Sequence, residues 1–280
     1  MRSAVLLERL VPFLLLFVGA YLVVVLTAYL LQDRLLYFPG VATRPDLSSR
    51  LRQLGLAFWP EGTEDYHGLL GADPPRMPKG TVLVFHGNAG SGVDRFYYVQ
   101  ALERLGYRVV LFEYPGYGAR PGKRREDTFV AAATRAARAA VEEFGGPLYV
   151  WGESLGCGVA SAVAGAGKTA VAGAVMLTPW DTLPDLAQNL YWFLPAKWLT
   201  KDKYDNIKNL HDFEGPVAVV MAGRDEIVPE KRTKRLYDSL LSVKKLWVFE
   251  NAGHNSWPVA PELAWWKEVM DFVSGHTAEN

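Results

Sequence analysis

Residues 148–158 read Leu-Tyr-Val-Trp-Gly-Glu-Ser-Leu-Gly-Cys-Gly. The β-branched and aromatic residues at the start predict a buried strand, and the small residues after Ser154 predict the beginning of a helix. Between the two lies Gly-x-Ser-x-Gly, which is typical of a tight strand-to-helix turn that presents a serine hydroxyl. Gly152 and Gly156 keep the side chains beside this turn small. The stretch therefore predicts a nucleophilic serine, Ser154, at the end of a strand.

Short β-branched and aromatic runs alternate with longer helical stretches on both sides of this turn. The predicted strands are 81–85, 108–112, 148–150, 171–177, 216–221 and 245–249. The predicted helices are 93–105, 127–144, 155–166, 229–241 and 261–273. This alternation predicts an α/β fold in which helices cover both faces of a mostly parallel sheet. The runs 56–60 and 66–72 predict an antiparallel hairpin at the start of the sheet.

A serine becomes a strong nucleophile when a base takes its proton and an acid orients that base. In this type of turn the expected order along the chain is serine, acid, histidine. Asp225 and His254 each follow directly after one of the last two predicted strands. Because the carboxyl ends of parallel strands meet at one edge of a sheet, both residues are predicted to lie beside Ser154. Glu226 is the nearest alternative acid.

A loop after the strand 81–85 is predicted to complete the site. It reads His86-Gly87-Asn88-Ala89-Gly90. In sites of this type, the N–H that follows the nucleophile and an N–H from this loop bind the developing oxyanion. The predicted donors are the backbone N–H groups of Leu155 and Asn88. His86 is predicted to be a structural residue of the loop rather than a second base.

The interval between the strands 171–177 and 216–221 is longer than a parallel crossover needs. Pro184 and Pro195 divide it into short helices, and an insert at about 181–213 is predicted to form a lid over the strand ends. Its aromatic residues are predicted to bind substrate or to touch a bilayer, and they are Tyr191, Trp192, Phe193 and Trp198. The alternative is that these rings fill a small satellite core.

Residues 10–31 form a run of 22 residues without a charge. A helix of that length is about 33 Å long, which is enough to cross the hydrocarbon core of a bilayer. The sequence predicts a single-pass membrane anchor over residues 1–33, followed by a catalytic domain over 34–280. Arg2 and Arg9 precede the span, and they favour a cytoplasmic N-terminus with the catalytic domain on the non-cytoplasmic side.

The composition excludes several classes of protein and site. Thirty basic residues balance thirty acidic ones, so the chain lacks the net positive charge typical of a nucleic-acid binder. A single cysteine excludes an internal disulfide framework and a cysteine-built metal centre. The predicted chemistry needs neither a metal nor another cofactor.

The chain resembles the membrane-anchored α/β-hydrolases of the serine-aminopeptidase-like type, which are close to the single-pass α/β-hydrolase-domain proteins. The stretches that carry the resemblance are Asp33-Arg34-Leu35-Leu36-Tyr37-Phe38-Pro39-Gly40, 85–90, Tyr114-Pro115-Gly116-Tyr117-Gly118, 151–158, 223–229 and 252–257. The resemblance implies that Ser154, Asp225 and His254 are the nucleophile, acid and base, with Asn88 and Leu155 in the oxyanion hole. Glu113 departs from the Asp that is more frequent at this position in the family.

Together these features predict a membrane-held serine hydrolase that cleaves carboxylic esters of acyl or lipid-like substrates through an acyl-enzyme. A protein S-deacylase or thioesterase is an alternative, because it uses the same groups. A second alternative is a non-catalytic membrane scaffold with a hydrolase fold. Peptidase activity is disfavoured because the sequence has no obvious acidic cluster to bind a free α-amine.

Overall fold

A computed structural model describes residues 2–62 and 65–275 of the chain. Residue 1 of the predicted anchor, and residues 63, 64 and 276–280 of the predicted catalytic domain, lie outside the described residues. The helices are α1 Arg2–Leu36, α2 Arg44–Leu54, α3 Phe96–Arg104, α4 Glu126–Phe144, α5 Leu155–Gly165, α6 Leu183–Leu190, α7 Ala196–Leu199, α8 Asn206–Leu210, α9 Glu230–Ser239 and α10 Ala264–Gly275. The strands are β1 Phe38–Pro39, β2 Leu56–Trp59, β3 Gly68–Gly71, β4 Thr81–Phe85, β5 Ala89–Gly90, β6 Arg108–Phe112, β7 Leu148–Glu153, β8 Val171–Leu177, β9 Val217–Ala222 and β10 Lys244–Phe249.

The main sheet has eight strands in the order β10-β9-β8-β7-β4-β6-β3-β2. The six strands from β10 to β6 are parallel, whereas β2 and β3 form an antiparallel hairpin that joins β6. The prediction of a mostly parallel sheet with a leading hairpin is therefore confirmed. The carboxyl ends of β7, β9 and β10 lie at one edge, which is where an open α/β sheet binds its ligands.

Helices cover both faces of this sheet, and alternate residues of each strand supply the two cores. Leu83 and Phe85 of β4 pack with α4, α5 and α9, while Val82 and Val84 pack with α2, α3 and α10. Strands buried on both faces need the near-continuous apolar runs that the sequence shows. This packing holds the strand ends rigidly and fixes the loops that follow them.

Helix α1 continues to Leu36, three residues past the predicted end of the anchor at residue 33. The apolar segment Leu10–Leu36 is long enough to cross a membrane, and no residue of its most apolar window is buried. The next residue, Tyr37, is buried in the domain. Strand β1 then pairs in parallel with β5, in a two-stranded sheet that the sequence did not predict. The apolar helix α1 is thus joined directly to the loop that carries Asn88.

The insert (residues 181–213) contains three short helices, α6, α7 and α8. Thr182 caps the amino end of α6 by accepting a hydrogen bond from the Asp185 N–H. Pro184 lies in the first turn of α6 and Pro195 precedes α7, where a proline is tolerated because the first N–H groups of a helix lack intrahelical partners. Pro195 therefore separates α6 from α7 as the sequence predicts, whereas Pro184 lies at the start of α6.

Candidate active site

The turn at Ser154 is tight and strained. Ser154 has φ 52° and ψ −114°, a conformation that residues other than glycine rarely adopt. The neighbouring glycines have no room for a side chain. A Cβ on Gly156 would overlap the carbonyl oxygen of Phe85, and one on Gly152 would lie 2.5 Å from the Cα of Cys157. This packing explains why the turn needs glycine on both sides of the serine.

Ser154, His254 and Asp225 lie in one chain of hydrogen bonds. The Nε2 of His254 is 2.8 Å from the Oγ of Ser154. Its Nδ1 is 2.8 Å from Oδ2 and 3.0 Å from Oδ1 of Asp225. The side chains of His254 and Asp225 are only 6% and 4% exposed, so water hardly competes for these bonds. The structure brings together the three residues singled out from the sequence.

The two candidate acids play different parts in this geometry. Asp225 contacts the imidazole, and its Oδ1 also accepts hydrogen bonds from the N–H groups of Ile227 and Val228. Glu226 instead accepts a hydrogen bond from the backbone N–H of His254, at 3.1 Å from Oε2. Asp225 therefore orients the ring, while Glu226 fixes the loop that carries it.

The two predicted oxyanion donors lie at the amino end of α5 and on the loop after β4. The Asn88 carbonyl accepts hydrogen bonds from the Phe38 N–H and the Tyr117 hydroxyl. Its side-chain Nδ2 donates to the Leu36 carbonyl at 2.9 Å. Within the described residues, the structure records no acceptor for the N–H of Asn88 or of Leu155. Both N–H groups remain candidates for binding an oxyanion.

His86 is buried in the loop after β4. Its Nδ1 lies 2.7 Å from the carbonyl oxygen of Gly87, and its Nε2 lies 3.5 Å from Oε1 of Glu113. Its ring packs against Tyr114 with centroids 4.4 Å apart. These contacts agree with a structural histidine. Glu113 also accepts a hydrogen bond from the N–H of Gly92, so the longer Glu side chain is accommodated at this position.

A buried ion pair beside the nucleophile was not predicted from the sequence. Glu153 precedes Ser154 and pairs with Arg95, whose Nη2 is 2.9 Å from Oε1. The hydroxyls of Tyr97 and Tyr98 also donate to the Glu153 carboxylate. Burial alone would raise the pKa of Glu153, but the charge and hydrogen bonds of Arg95 outweigh it and hold the pKa below its usual value. Arg95 lies in the turn before α3, and Tyr97 and Tyr98 lie in α3. A charged residue in such a turn is ordinarily interpreted as solvent-exposed, which is why the sequence did not predict the ion pair.

The aromatic residues of the insert lie mainly on its surface. Trp192 and Trp198 are 80% and 81% exposed, and Phe193 is 51% exposed. Tyr191 is also partly exposed, whereas Tyr204 further along the insert is fully buried. Tyr204 belongs to the main hydrophobic core, and the exposure of the two tryptophans does not fit the satellite-core interpretation. Substrate binding by Tyr191, Trp192, Phe193 and Trp198 stays a prediction.

This arrangement has the chemical parts of an acyl-transfer site. A serine hydroxyl touches an imidazole, and the imidazole touches a buried carboxylate. The amino end of α5 begins directly after the serine, where its free N–H groups favour negative charge. Among the described residues there is no group of three His, Cys, Asp or Glu side chains placed to hold a metal ion.

Comparisons with known proteins point in the same direction. The family profile described as alpha/beta hydrolase fold matches residues 80–211. An uncharacterized protein of Mycobacterium tuberculosis is 33% identical over 258 residues, which cover 86% of this chain and 85% of that protein. A lysophosphatidylserine lipase of Danio rerio is 29% identical over 187 residues, which cover 59% of this chain and 48% of that protein. An esterase of Pyrococcus furiosus superposes with a TM-score of 0.66 at 18% identity, over 86% of this chain and 98% of that chain.

Proposed function

Because this chain belongs to the α/β-hydrolase family, we propose that it is a serine hydrolase that cleaves carboxylic esters of acyl or lipid-like substrates. The observation that carries the proposal is the hydrogen-bond chain from Ser154 through His254 to Asp225, at 2.8 Å for each step. A buried carboxylate on the far side of the imidazole is the arrangement that makes a serine nucleophilic.

The proposed reaction begins with attack of the Ser154 oxygen on the acyl carbonyl. His254 takes the serine proton and passes it to the leaving alcohol, while Asp225 stabilises the imidazolium and keeps its orientation. The N–H groups of Leu155 and Asn88 bind the oxyanion, and one such donor is worth about 3 kcal/mol in the transition state. Water then attacks the acyl-enzyme, again with His254 as the base, and releases the acid.

The similarity to a lipase and the apolar surface of the insert support a lipid-like ester as the substrate. The chain is similar to a lysophosphatidylserine lipase over about half the length of that enzyme. The exposed rings of Trp192 and Trp198 offer apolar area on the insert that follows β8. We propose a single acyl chain linked to a polar head group as the substrate class.

We also propose that α1 crosses a membrane, with the catalytic domain on the non-cytoplasmic side. The apolar length of Leu10–Leu36 and the absence of buried residues from its most apolar window support the crossing. The orientation rests on Arg2 and Arg9 in the short amino-terminal tail. In intact cells, a membrane-impermeant maleimide should label a Met77→Cys variant, since Met77 is 90% exposed on the domain. Labelling only after permeabilisation would place the domain in the cytoplasm.

The enzymatic proposal is tested by activity labelling and by an ester panel. The purified chain should react with a fluorophosphonate probe and hydrolyse nitrophenyl esters, with longer acyl chains preferred. Ser154→Ala should abolish labelling and lower kcat by about 10⁴–10⁶-fold, since only the oxyanion donors and substrate binding then remain. Ser48→Ala, which changes a serine in α2, is the matched control and should retain both. Near-wild-type turnover by folded Ser154→Ala would exclude the assignment. Parallel thioester substrates measure whether the S-deacylase alternative applies.

A further inference from the structure

The insert forms hydrogen bonds with α1 at two positions along the helix, near its middle and near its carboxyl end. The Tyr21 hydroxyl donates to the Phe193 carbonyl at 3.0 Å. Near the end of the helix, the amide of Gln32 donates to the Leu199 carbonyl at 3.3 Å and accepts from the Lys201 N–H at 2.7 Å. These contacts join segments that are more than 160 positions apart in the sequence. The insert therefore runs along the helix rather than away from it.

The positions of these contacts give the depth of the insert. Asp33 and Arg34 are the first charges after the apolar run, so a bilayer surface falls at about their level. Tyr21 lies about 16 Å deeper along the helix than Gln32, at 1.5 Å per residue. Side chains of a helix lean toward its amino end, so Phe193 lies no shallower than Tyr21. If α1 crosses the bilayer, Phe193 therefore reaches about half the depth of a ~30 Å hydrocarbon core.

The composition of this part of the insert suits a lipid environment. Residues 190–199 are Leu-Tyr-Trp-Phe-Leu-Pro-Ala-Lys-Trp-Leu, with one charged residue among them. That residue, Lys197, is paired with Asp185 at 2.7 Å. Five of the apolar side chains are substantially exposed to solvent, namely Leu190, Tyr191, Trp192, Phe193 and Trp198. Contiguous exposed apolar surface of this kind marks a site of contact with a membrane or another apolar partner.

The backbone carbonyl groups of the segment are also paired, as a lipid environment requires, whereas the structure records no acceptor for the N–H groups of Trp192 and Phe193 among the described residues. Unpaired carbonyl groups are costly in hydrocarbon, where no water replaces a missing donor. Every carbonyl from residue 191 to residue 196 accepts a hydrogen bond from the protein. Gln188 supplies two of these bonds, to Trp192 and Leu194, and Tyr21 of α1 supplies the bond to Phe193. A surface loop in water has no need of this complete set.

Cationic groups lie at the level where lipid head groups would be. The Lys201 ammonium is 4.6 Å from the ring centroid of Tyr29, close to the end of the apolar run. A cavity of about 710 Å³ borders Asp33 and is lined by residues 120–125, which include Lys123 and Arg124. Basic side chains at this height complement the phosphates of a membrane surface. Along α1, the apolar surface thus lies at the level of the acyl chains and the cationic surface at the level of the head groups of one leaflet.

We propose that residues 190–199 lie inside one leaflet of the bilayer beside α1, and that the partner of this surface is lipid hydrocarbon. Three residues separate the insert from the end of β8, whose Leu177 carbonyl accepts the Ser154 N–H. The strand end that carries Ser154 is then adjacent to the lipid phase. Resting on the proposed function, this position selects acyl esters that reside in the membrane over esters dissolved in water.

The full chain reconstituted in phosphatidylcholine nanodiscs allows the depth to be measured directly. Single cysteines at Trp192 and Trp198 are labelled with an environment-sensitive dye, and matched labels are placed at Met77 and Leu241. These two controls are 90% and 73% exposed, and they precede β4 and β10, at the opposite edge of the sheet from Ser154. The native Cys157 is fully buried, and burial raises the pKa of its thiol, so it contributes little labelling.

Lipids brominated on their acyl chains should quench the dyes at Trp192→Cys and Trp198→Cys several-fold more than those at Met77→Cys and Leu241→Cys. Aqueous iodide should show the opposite order. Equal iodide quenching at all four positions would overturn the proposal. The measurement needs no turnover, so a chain that inserts these residues but hydrolyses nothing keeps the membrane surface and removes only the enzymatic assignment.

Discussion

Arg95 and Glu153 form a buried ion pair one residue before the candidate nucleophile. The guanidinium lies 2.9 Å from Oε1 of Glu153 through Nη2 and 3.1 Å through Nε. The same Nη2 donates to the Ala89 carbonyl at 3.3 Å, on the loop that carries Asn88. Arg95 therefore connects the turn at Ser154 with the predicted oxyanion loop. We infer that the pair positions these two elements relative to each other.

We expect Arg95→Lys to lower kcat for a short ester about tenfold while KM stays within twofold. A lysine keeps the positive charge, but it lacks the planar guanidinium group that donates to both Glu153 and the Ala89 carbonyl. The two loops would then shift slightly, and a small misplacement of reacting groups has a large effect on rate. Arg50→Lys is the control, because Arg50 forms a comparable ion pair with Asp94 but is half exposed. A lower melting temperature with unchanged kcat would show that the pair only stabilises the fold.

The assignment of Asp225 rather than Glu226 as the acid is tested by two conservative variants. We expect Asp225→Asn to lower kcat by about 10⁴-fold, since an amide no longer holds the imidazole in the correct tautomer. Glu226→Gln keeps an oxygen that accepts the His254 N–H, so its kcat should fall less than tenfold. Steady-state kinetics on the same ester distinguish the two. A larger loss for Glu226→Gln would reverse the assignment.

The sequence predicts the sheet and the strand ends well because both depend on local patterns. The observed β4, β6 and β8 have the predicted bounds, since fully buried strands need uninterrupted apolar residues. Ser154 and Asp225 follow the fully buried strands β7 and β9, and His254 follows the neighbouring parallel strand β10, so topology brings the three residues to one edge. Helix α2 was missed although it carries a local signal, with Thr43 as its cap and Gly55 at its end.

Features built from long-range contacts could not be predicted in this way. Strands of two residues, such as β1 and β5, are too short to show a periodic pattern. The hydrogen bond from Tyr21 to the Phe193 carbonyl has no local sequence pattern in either segment. A tyrosine in an apolar helix is ordinarily interpreted as a residue of the membrane interface. Arg95 and Glu153 were missed for a related reason. Charged residues are usually exposed, and their burial depends on a partner that is distant in the sequence.

The cavity that borders Asp33 at the end of α1 is lined by Lys123 and Arg124, and this cationic groove predicts a preference among lipid head groups. Arg125 pairs with Asp127, but the structure records no carboxylate within ion-pair distance of Lys123 or Arg124 among residues 2–62 and 65–275. Each such cation near a membrane surface is worth about 1 kcal/mol toward an anionic lipid. We therefore expect Lys123→Ala/Arg124→Ala to raise KM for a lysophospholipid with net negative charge at least fivefold, with little change for a monoacylglycerol.

Arg104→Ala/Lys168→Ala is the matched control for this charge change, because both of these residues are exposed and neither lines the groove. Its KM for the two substrates should equal that of the wild type. The difference between substrates should shrink at high salt, since exposed charges are screened. Equal rises in KM for charged and uncharged substrates would remove the head-group role of the groove.

A half-buried carboxyl group on α3 should make stability depend on pH. Burial, followed by the nearby charge of Asp73, raises the pKa of Glu103 to about 7. Its Oε1 has no hydrogen-bond partner among the described residues and lies against the backbone of Gly71 on β3. An ordinary glutamate in the unfolded chain titrates near 4.3. Between these values the folded chain holds a proton that the unfolded chain has lost, so stability falls as pH rises toward 7.

We expect Glu103→Gln to raise the melting temperature at pH 8 and to leave it unchanged at pH 4. The amide removes the cost of ionising a poorly solvated group, a cost that grows from the pKa of the unfolded chain to that of the folded state and is complete above it. Because Glu103 is only half buried, solvent screening reduces the gain to about 1 kcal/mol, or about 2–4 °C. Glu142→Gln, on the exposed face of α4, is the control and should shift neither melting temperature. If the two variants melt alike at both pH values, Glu103 ionises as freely in the folded chain as in the unfolded one.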